Sequence, residues 1–569
     1  MATERNRKKK VWRPRRSRFS ILVTLYFVVA LLIPNCVLAH TEHYSLWTVE
    51  ALILIPAGFY MMWSVVLRRS GVMIWLGFPF IFFCTFQIVL LYLFGNSIIA
   101  TDMFTNLLTT NPGEAGELLG NIYPSVLLVV AIYCPLLWLA TREIAHKRYL
   151  SRTTRKTLGL TGAALLVVGS LALWPAYHVS EDKHVLRDEI FPLNVLYNVG
   201  LSGSEFRKAY HFNKTSEGFS YEATRSDKLP EREIYIYIIG EASRAMNWQL
   251  LGYDRETNPR LSQEKEIVVF RNMLTQSNTT HKSVPLILSS VGTAQHEELF
   301  WRKGLPALFN EAGFETWFIS NQSQQGAMID HLAHDAQHLV YIRSPRHDLQ
   351  LLEEMQKAVA KSSSKRLFFI LHCYGSHFCY HLRYPRTFAR FLPDDNVAIT
   401  PQHVEELCNA YDNSVYYTDY FLAETIGYLR SMTGVSSALL YCADHGEDLL
   451  DDERHRFLHA SPTTTAYQLW VASLAWFSPD YRAAFPGIAE AARANASAPA
   501  NTHALFHTMA QIAAIRSPYI EESVSLVSPD FDRQARRCYL NDHNEAVPYL
   551  RTGLKEQDVE LLRRNGIEL

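Results

Sequence analysis

The stretch LLYCADHGEDLLDDERHRFLHASP, residues 439–462, leaves an apolar run and drops at once into Asp444, His445 and Glu447, and His459 follows His445 by fourteen positions. Acids and histidines just past a buried strand are either an ordinary polar loop or ligands for an ion. Three further β-rich apolar runs bear on the choice. EIYIYIIGE (233–241) ends in Glu241, KRLFFILHCYGSH (365–377) ends in His372 and His377, and FETWFISNQ (314–322) ends in Asn321. Helix-like segments separate these runs, the pattern of an α/β domain with a largely parallel sheet. In open α/β sheets ligands bind outside the carboxyl ends of the strands. Three strand ends that each deliver Glu, His or Asp therefore point to a shared metal site.

The first 175 residues read differently. Residues 1–18 carry nine Lys and Arg and one acid. Five apolar runs of about 20 residues, the length that crosses a bilayer, follow at 19–39, 46–67, 72–94, 121–140 and 157–175. The 141–156 loop carries six Lys and Arg, whereas 40–45 and 95–120 carry none. The positive-inside bias places the N-terminus in the cytoplasm and everything after the fifth span outside. The expected organisation is a transmembrane domain over 1–175, a linker with helical pieces over 176–230 and a catalytic domain over 231–569. Five of the eight cysteines, Cys373, Cys379, Cys408, Cys442 and Cys538, fall in the outer part, where an oxidising compartment permits disulfides. The net charge of −1 argues against a nucleic-acid partner.

Glu241, Asp444, His445, His377 and His459 offer the mixed N/O ligation that suits zinc, with manganese a weaker fit. His455 competes with His459 as the second histidine. TQSNTTHKSVPLILSS (275–290) supplies hydroxyls at Thr279, Thr280 and Ser283 ahead of a helix. A coordinated cation lowers the pKa of such a hydroxyl. Glu447 reads as an acceptor for a ligand histidine. His372 reads equally as a support or as a hydrogen-bonded strand histidine, and Arg244 and Lys282 read as phosphate contacts or solvated cations.

The blocks IIGEASRAMNWQLLGYDRETNPRL, TTHKSVP, SNQ, LHCYGSHFCYHLRYP and DHGED…FLHASP, spanning 237–462, resemble the phosphoethanolamine transferases of Gram-negative inner membranes, within the alkaline phosphatase and sulfatase superfamily. The resemblance implies a five-helix anchor and a sulfatase-like periplasmic domain. It implies Thr280 as nucleophile, Glu241, Thr280, Asp444 and His445 as ligands of a first zinc, and His377 and His459 as contacts of a second zinc or of the phosphoethanolamine group. Asn321, His372 and Glu447 would support them. The implied reaction moves phosphoethanolamine from phosphatidylethanolamine, through phosphoethanolamine-Thr280, to lipid A or a core sugar of lipopolysaccharide, by a monomeric enzyme. Modification of lipid A in this way is tied to polymyxin resistance. In the 95–120 loop, Asn106, Thr110 and Glu114 recur every four residues, one helical face, and resemble the segment that holds the lipid donor. The chain departs from the lipid A-modifying pattern at Gln276 and Leu286, where those members carry cysteines, and at Gln325, where they carry lysine. The acceptor therefore stays open, and a phosphoglycerol transferase, a phosphatase or a sulfatase of the same superfamily is the alternative.

Overall fold

The computed structural model describes residues 18–41, 44–94, 123–179, 185–225, 230–324, 327–343, 347–395 and 399–569. Asn106, Thr110, Glu114 and Gln325 lie outside the described residues. Two compact units are formed. The first comprises the described residues up to Tyr197, and the second those from Asn198 to the end.

The apolar runs of the first unit form helices α1 (Arg18–Thr41), α2 (Leu46–Ser64), α3 (Ser70–Leu76), α4 (Phe78–Phe94), α5 (Tyr123–Ala145) and α6 (Arg152–Val179). Four of them are long and apolar enough to cross a membrane, and α3 with α4 makes a fifth path bent by 58°. The expected span 72–94 is thus broken at Gly77, not straight. Helix α6 begins before and ends after the expected 157–175, so its last turn occupies part of the expected linker. A further helix, α7 (Leu193–Tyr210), occupies more of it.

Several polar groups in this unit are tied down by named bonds. Ser45 caps α2, its Oγ accepting from Thr48 N at 3.1 Å. Arg155 donates to the carbonyls of Val65 at 2.9 Å and Val66 at 2.7 Å, which meets the unsatisfied acceptors at the end of α2. Buried Glu143 accepts from Ser70 at 3.0 Å and pairs with Arg148 at 3.4 Å. Helices α2 and α6 touch backbone to backbone at Gly58 and Gly162. A Cβ on Gly58 would lie 2.5 Å from Gly162 O, and one on Gly162 would lie 2.9 Å from Gly58 O. In lipid, where no hydrophobic drive separates helices from solvent, such close approach of small residues is what holds a pair together.

The second unit is built on a seven-stranded sheet. Its strands are β1 (Glu233–Gly240), β2 (Ile267–Val269), β3 (Glu315–Ser320), β4 (His338–Tyr341), β5 (Arg366–His372), β6 (Ser436–Ala443) and β7 (Ser473–Phe477). The spatial order is β2-β7-β6-β1-β5-β3-β4. Strands β6, β1, β5, β3 and β4 run parallel, while β7 is antiparallel to both β6 and β2. The sheet is therefore mixed at one edge. Strands β1 and β6 are buried along their whole length, which explains why both read as continuous apolar runs without alternation. Cys373, Cys379, Cys408, Cys442 and Cys538 are all free thiols, so no disulfide joins the described residues.

The α2–α6 contact yields a stability prediction. Gly58→Leu must overpack a backbone contact and should cost on the order of 1–3 kcal/mol, seen as a lowered melting temperature of the detergent-purified chain. Leu160→Ala, at a side chain 73% exposed on α6, should leave the melting temperature in place. An unchanged Gly58→Leu protein would remove this contact from the account.

Candidate active site

The strand order makes neighbours of the ends that carry the candidate residues. Strand β1 lies between β6 and β5, so Glu241 leaves the sheet between Asp444–His445 on one side and the 373–377 loop on the other. Asp444 N donates to Gly240 O at 3.0 Å and Ser376 N donates to Glu241 O at 3.0 Å, which fastens the three ends to one another.

Thr280 joins them from a fourth direction, as the first residue of helix α8 (Thr280–Ile287). This helix is pinned to the end of β6, because Ser283 Oγ donates to the carbonyl of Asp444 at 2.6 Å and Thr275 Oγ1 donates to the same carbonyl at 2.5 Å. Ser283 is thereby a positioning group. Thr280 Oγ1 is 3.1 Å from His445 Nε2 and 3.4 Å from each oxygen of Glu241.

The protons in this cluster can be counted. His445 Nδ1 faces Gly446 O at 2.9 Å; a carbonyl only accepts, so Nδ1 carries the hydrogen and Nε2 presents a lone pair. That lone pair lies 3.5 Å from Glu241 Oε1 and 3.3 Å from Asp444 Oδ2. Asp444 Oδ1 accepts from Ala242 N at 3.1 Å and His445 N at 2.8 Å, whereas buried Oδ2 has no hydrogen-bond donor. Burial raises the pKa of Asp444 and pushes His445 down to about 4, so the imidazole is neutral. A neutral imidazole lone pair crowded against two buried carboxylates favours a cation or a proton among them.

The ligand atoms of Glu241, Asp444 and His445 all lie within 4.8 Å of one another. A tetrahedral zinc with bonds near 2.1 Å spaces its ligands about 3.4 Å apart. The separations from His445 Nε2, 3.1 Å to Thr280, 3.3 Å to Asp444 and 3.5 Å to Glu241, match that spacing. The residues present fit a zinc-sized cation.

His459 and His377 stand beside the cluster. The His459 ring is centred 4.0 Å from that of His445, and His459 Nδ1 lies 3.3 Å from Glu447 Oε1. Burial pushes His459 down to about 4 and lifts Glu447 well above the usual carboxylate range. His377 is half-buried and stacked on Tyr374 at 5.1 Å. Burial, then the Arg383 charge, then His459 and His445 drive its pKa well down. Arg383 lies 4.0 Å over the other partner of that stack, Tyr374, and donates to the carbonyls of His377 at 3.0 Å and Phe378 at 2.8 Å. His455 instead is exposed in a turn.

Other candidates take structural places. His372 accepts or donates at 3.1 Å to Ser320 Oγ and lines a small cavity with Phe318, Ile329 and Tyr341, away from the cluster. Arg244 is buried, paired with Asp451 at 2.7 Å and bonded to Glu447 O at 3.1 Å. Lys282 donates to the carbonyls of Asn541 at 2.9 Å and Asp542 at 3.3 Å. Neither cation is solvated. Asn321 acts at one remove. Its Nδ2 donates to Asp348 Oδ1 at 2.7 Å, and Asp348 in turn accepts from Tyr374 N and Gly375 N, each at 2.8 Å. Gly375 has φ +46°, and a Cβ there would meet Glu241 O at 2.7 Å, so glycine is required where this loop crosses the ligand.

One residue next to Asn321 was not singled out by sequence. Gln322 Nε2 donates to Glu241 Oε2 at 2.8 Å and to Cys373 O at 2.9 Å. Its signal was its place after the end of β3, but the sheet order that sets β3 one strand from β1 is not visible in the sequence.

Residues 233–515 match the sulfatase family model and residues 80–204 match the model for phosphoethanolamine transferase EptA/EptB. The chain is 28% identical over 406 residues to phosphoethanolamine transferase EptA of Escherichia coli K12, covering 68% of this chain and 72% of the relative. It is 26% identical over 431 residues to the Kdo(2)-lipid A phosphoethanolamine 7''-transferase of Salmonella typhimurium, covering 68% and 73%. The integral membrane lipooligosaccharide phosphoethanolamine transferase A of Neisseria meningitidis has the same fold, with a TM-score of 0.71 at 21% identity over 90% of this chain and 98% of that one. The periplasmic domain of Escherichia coli EptC, solved as a complex with zinc, superimposes with a TM-score of 0.53 at 22% identity, covering 59% and 97%.

The amide of Gln322 orients Glu241, and loss of such a support typically costs 10- to 100-fold in metal affinity. Gln322→Ala should therefore weaken zinc retention by roughly 10-fold or more, read by competition with a chelating dye, while Asn310→Ala, remote from the cluster, should not. Equal zinc affinity in Gln322→Ala and the parent would deny Gln322 that role.

Proposed function

We propose, since the chain belongs to the phosphoethanolamine transferases of the alkaline phosphatase and sulfatase superfamily, that it moves phosphoethanolamine from phosphatidylethanolamine to a lipopolysaccharide-type acceptor through Thr280. The carrying observation is the placing of the Thr280 hydroxyl 3.1 Å from His445 Nε2 and 3.4 Å from both Glu241 oxygens. The four or five apolar helices anchor the enzyme in the inner membrane with the catalytic domain in the periplasm and the N-terminus in the cytoplasm.

Glu241, Asp444, His445 and Thr280 would hold one zinc, with His377 and His459 facing the substrate or a second ion. Bound there, zinc lowers the pKa of the Thr280 hydroxyl and offsets charge on the phosphoryl oxygens. Thr280 Oγ1 gives up its proton, attacks the donor phosphorus, and the bond from phosphorus to the diacylglycerol oxygen breaks. Diacylglycerol leaves as the alcohol after taking a proton, and phosphoethanolamine remains on Thr280. An oxygen of the acceptor then attacks the same phosphorus and Thr280 returns as a hydroxyl. This is covalent catalysis in two displacements. Neutral His459 and His377 can donate a hydrogen bond to a phosphoryl oxygen or carry the acceptor's proton. Asn106, Thr110 and Glu114 are assigned to the donor headgroup from their resemblance to the donor-holding segment, the Glu114 carboxylate having the charge to pair with an ethanolamine ammonium.

Incubation with phosphatidylethanolamine and no acceptor should leave a phosphoethanolamine mass on the peptide containing Thr280. Thr280→Ala should lose both this adduct and turnover while keeping its fold. Turnover near the parental rate in Thr280→Ala would reject the assignment.

A further inference from the structure

His459 sits between two residues in the left-handed region, Leu458 at φ +67° and Ala460 at φ +64°. Neither is glycine, so each side chain opposes its own backbone conformation, and such a turn persists only where its surroundings over-determine it. The groups that hold it come from elsewhere in the chain. Ala460 N donates to Asn278 O at 3.1 Å. Asn278 Nδ2 donates to Ser461 O at 2.8 Å and to Gln468 Oε1 at 2.6 Å, and Gln468 Nε2 reaches Leu458 O at 3.4 Å. Both flanks of His459 are thus tied to one asparagine two residues before Thr280.

Asn278 is itself gripped from the end of the chain. Strand β8 (Cys538–Leu540) pairs with β9 (Ala546–Pro548) in a hairpin, beyond the residues matched by the sulfatase model. From β8, the Tyr539 hydroxyl donates to Asn278 Oδ1 at 2.6 Å and accepts from Asn278 N at 3.2 Å. Leu540 N donates to Gln276 O at 2.8 Å, and Tyr549 Oη donates to Thr275 O at 2.8 Å. Thr275, Gln276 and Asn278 are therefore backed by the hairpin and by Tyr549 just beyond it.

We propose that Asn278, clamped by Tyr539 of the C-terminal hairpin, is the positioning residue that fixes the strained His459 turn relative to Thr280. This rests on the reading of Thr280 as nucleophile and His459 as a substrate-side group. The Asn278 side chain and carbonyl spend every one of these bonds on the two segments and the clamp. Glu241, Asp444 and His445 are fastened by separate bonds, so these three ligands do not depend on Asn278. Loss of the network should misplace His459 against Thr280 and slow the chemical step without emptying the cluster.

The test uses the full-length chain in detergent with a soluble nitrophenyl ester of phosphoethanolamine, reading kcat, KM and zinc content. Asn278→Ala should lower kcat about 100-fold and Tyr539→Phe about 10-fold, since small misplacements of reacting groups carry losses of this order. KM and zinc content should stay within about twofold in both. Should Asn278→Ala fail to fold, Tyr539→Phe, which removes a single hydroxyl, decides alone. Parental kcat in the variants, beside an inactive Thr280→Ala, would overturn the positioning role and leave the nucleophile standing. A fall in zinc content in step with kcat would overturn it as well. An active Thr280→Ala would remove the nucleophile reading and this inference together.

Discussion

Three acceptors, Glu241, Asp444 Oδ2 and His445 Nε2, face one another inside the second unit, 3.3 to 3.5 Å apart around the histidine nitrogen. Their burial makes that crowding costly by itself, because desolvation and like charge both oppose two ionised carboxylates held together. A cation reverses the sign of the interaction, and much of the surrounding structure serves to keep the acceptors in place for it. The Gly446 carbonyl fixes the His445 tautomer, Gln322 turns Glu241, and the backbone N–H groups of Ala242 and His445 occupy the other Asp444 oxygen. The groups so held converge on the Thr280 hydroxyl.

The sheet supplies the convergence and the loops supply the fit. Parallel pairing of β6, β1 and β5 brings residues some 200 positions apart to one edge, which no local loop could do. The close passage of Gly375 over Glu241 and the Asp348 bonds to Tyr374 and Gly375 hold the 373–377 loop down. Helix α8 and the His459 turn are not part of the sheet, so they need their own fastenings, and these run through Ser283, Asn278 and Tyr539. The site is thus a rigid edge with two attached segments, one bearing the hydroxyl and one bearing a histidine.

Much of this was legible in the sequence, because buried parallel strands read as unbroken apolar runs and a ligand at a strand end interrupts such a run abruptly. Glu241, Asp444 and His445 stood out for that reason, and Thr280 through its resemblance to a known motif. What was not legible depends on order in space. Gln322 follows an ordinary-looking strand, and only the neighbourhood of β3, β5 and β1 turns its amide toward Glu241. Arg244 and Lys282 read as phosphate contacts or solvated cations since a cation near a motif has no visible partner in one dimension; Asp451 lies 207 residues from Arg244, and the carbonyls of Asn541 and Asp542 lie 259 and 260 residues from Lys282. The bend at Gly77 was hidden because hydropathy counts apolar residues without sensing helix direction. The antiparallel β7 and the C-terminal hairpin carry none of the candidate ligands, and nothing in the sequence set them beside the site.

The most direct measurement is anomalous scattering at the zinc edge from crystals of the full-length chain. The account predicts an ion bounded by Glu241, Asp444, His445 and Thr280, lost together with turnover when Asp444→Ala is introduced. An ion bound only elsewhere, or full turnover in a preparation stripped of metal, would contradict it.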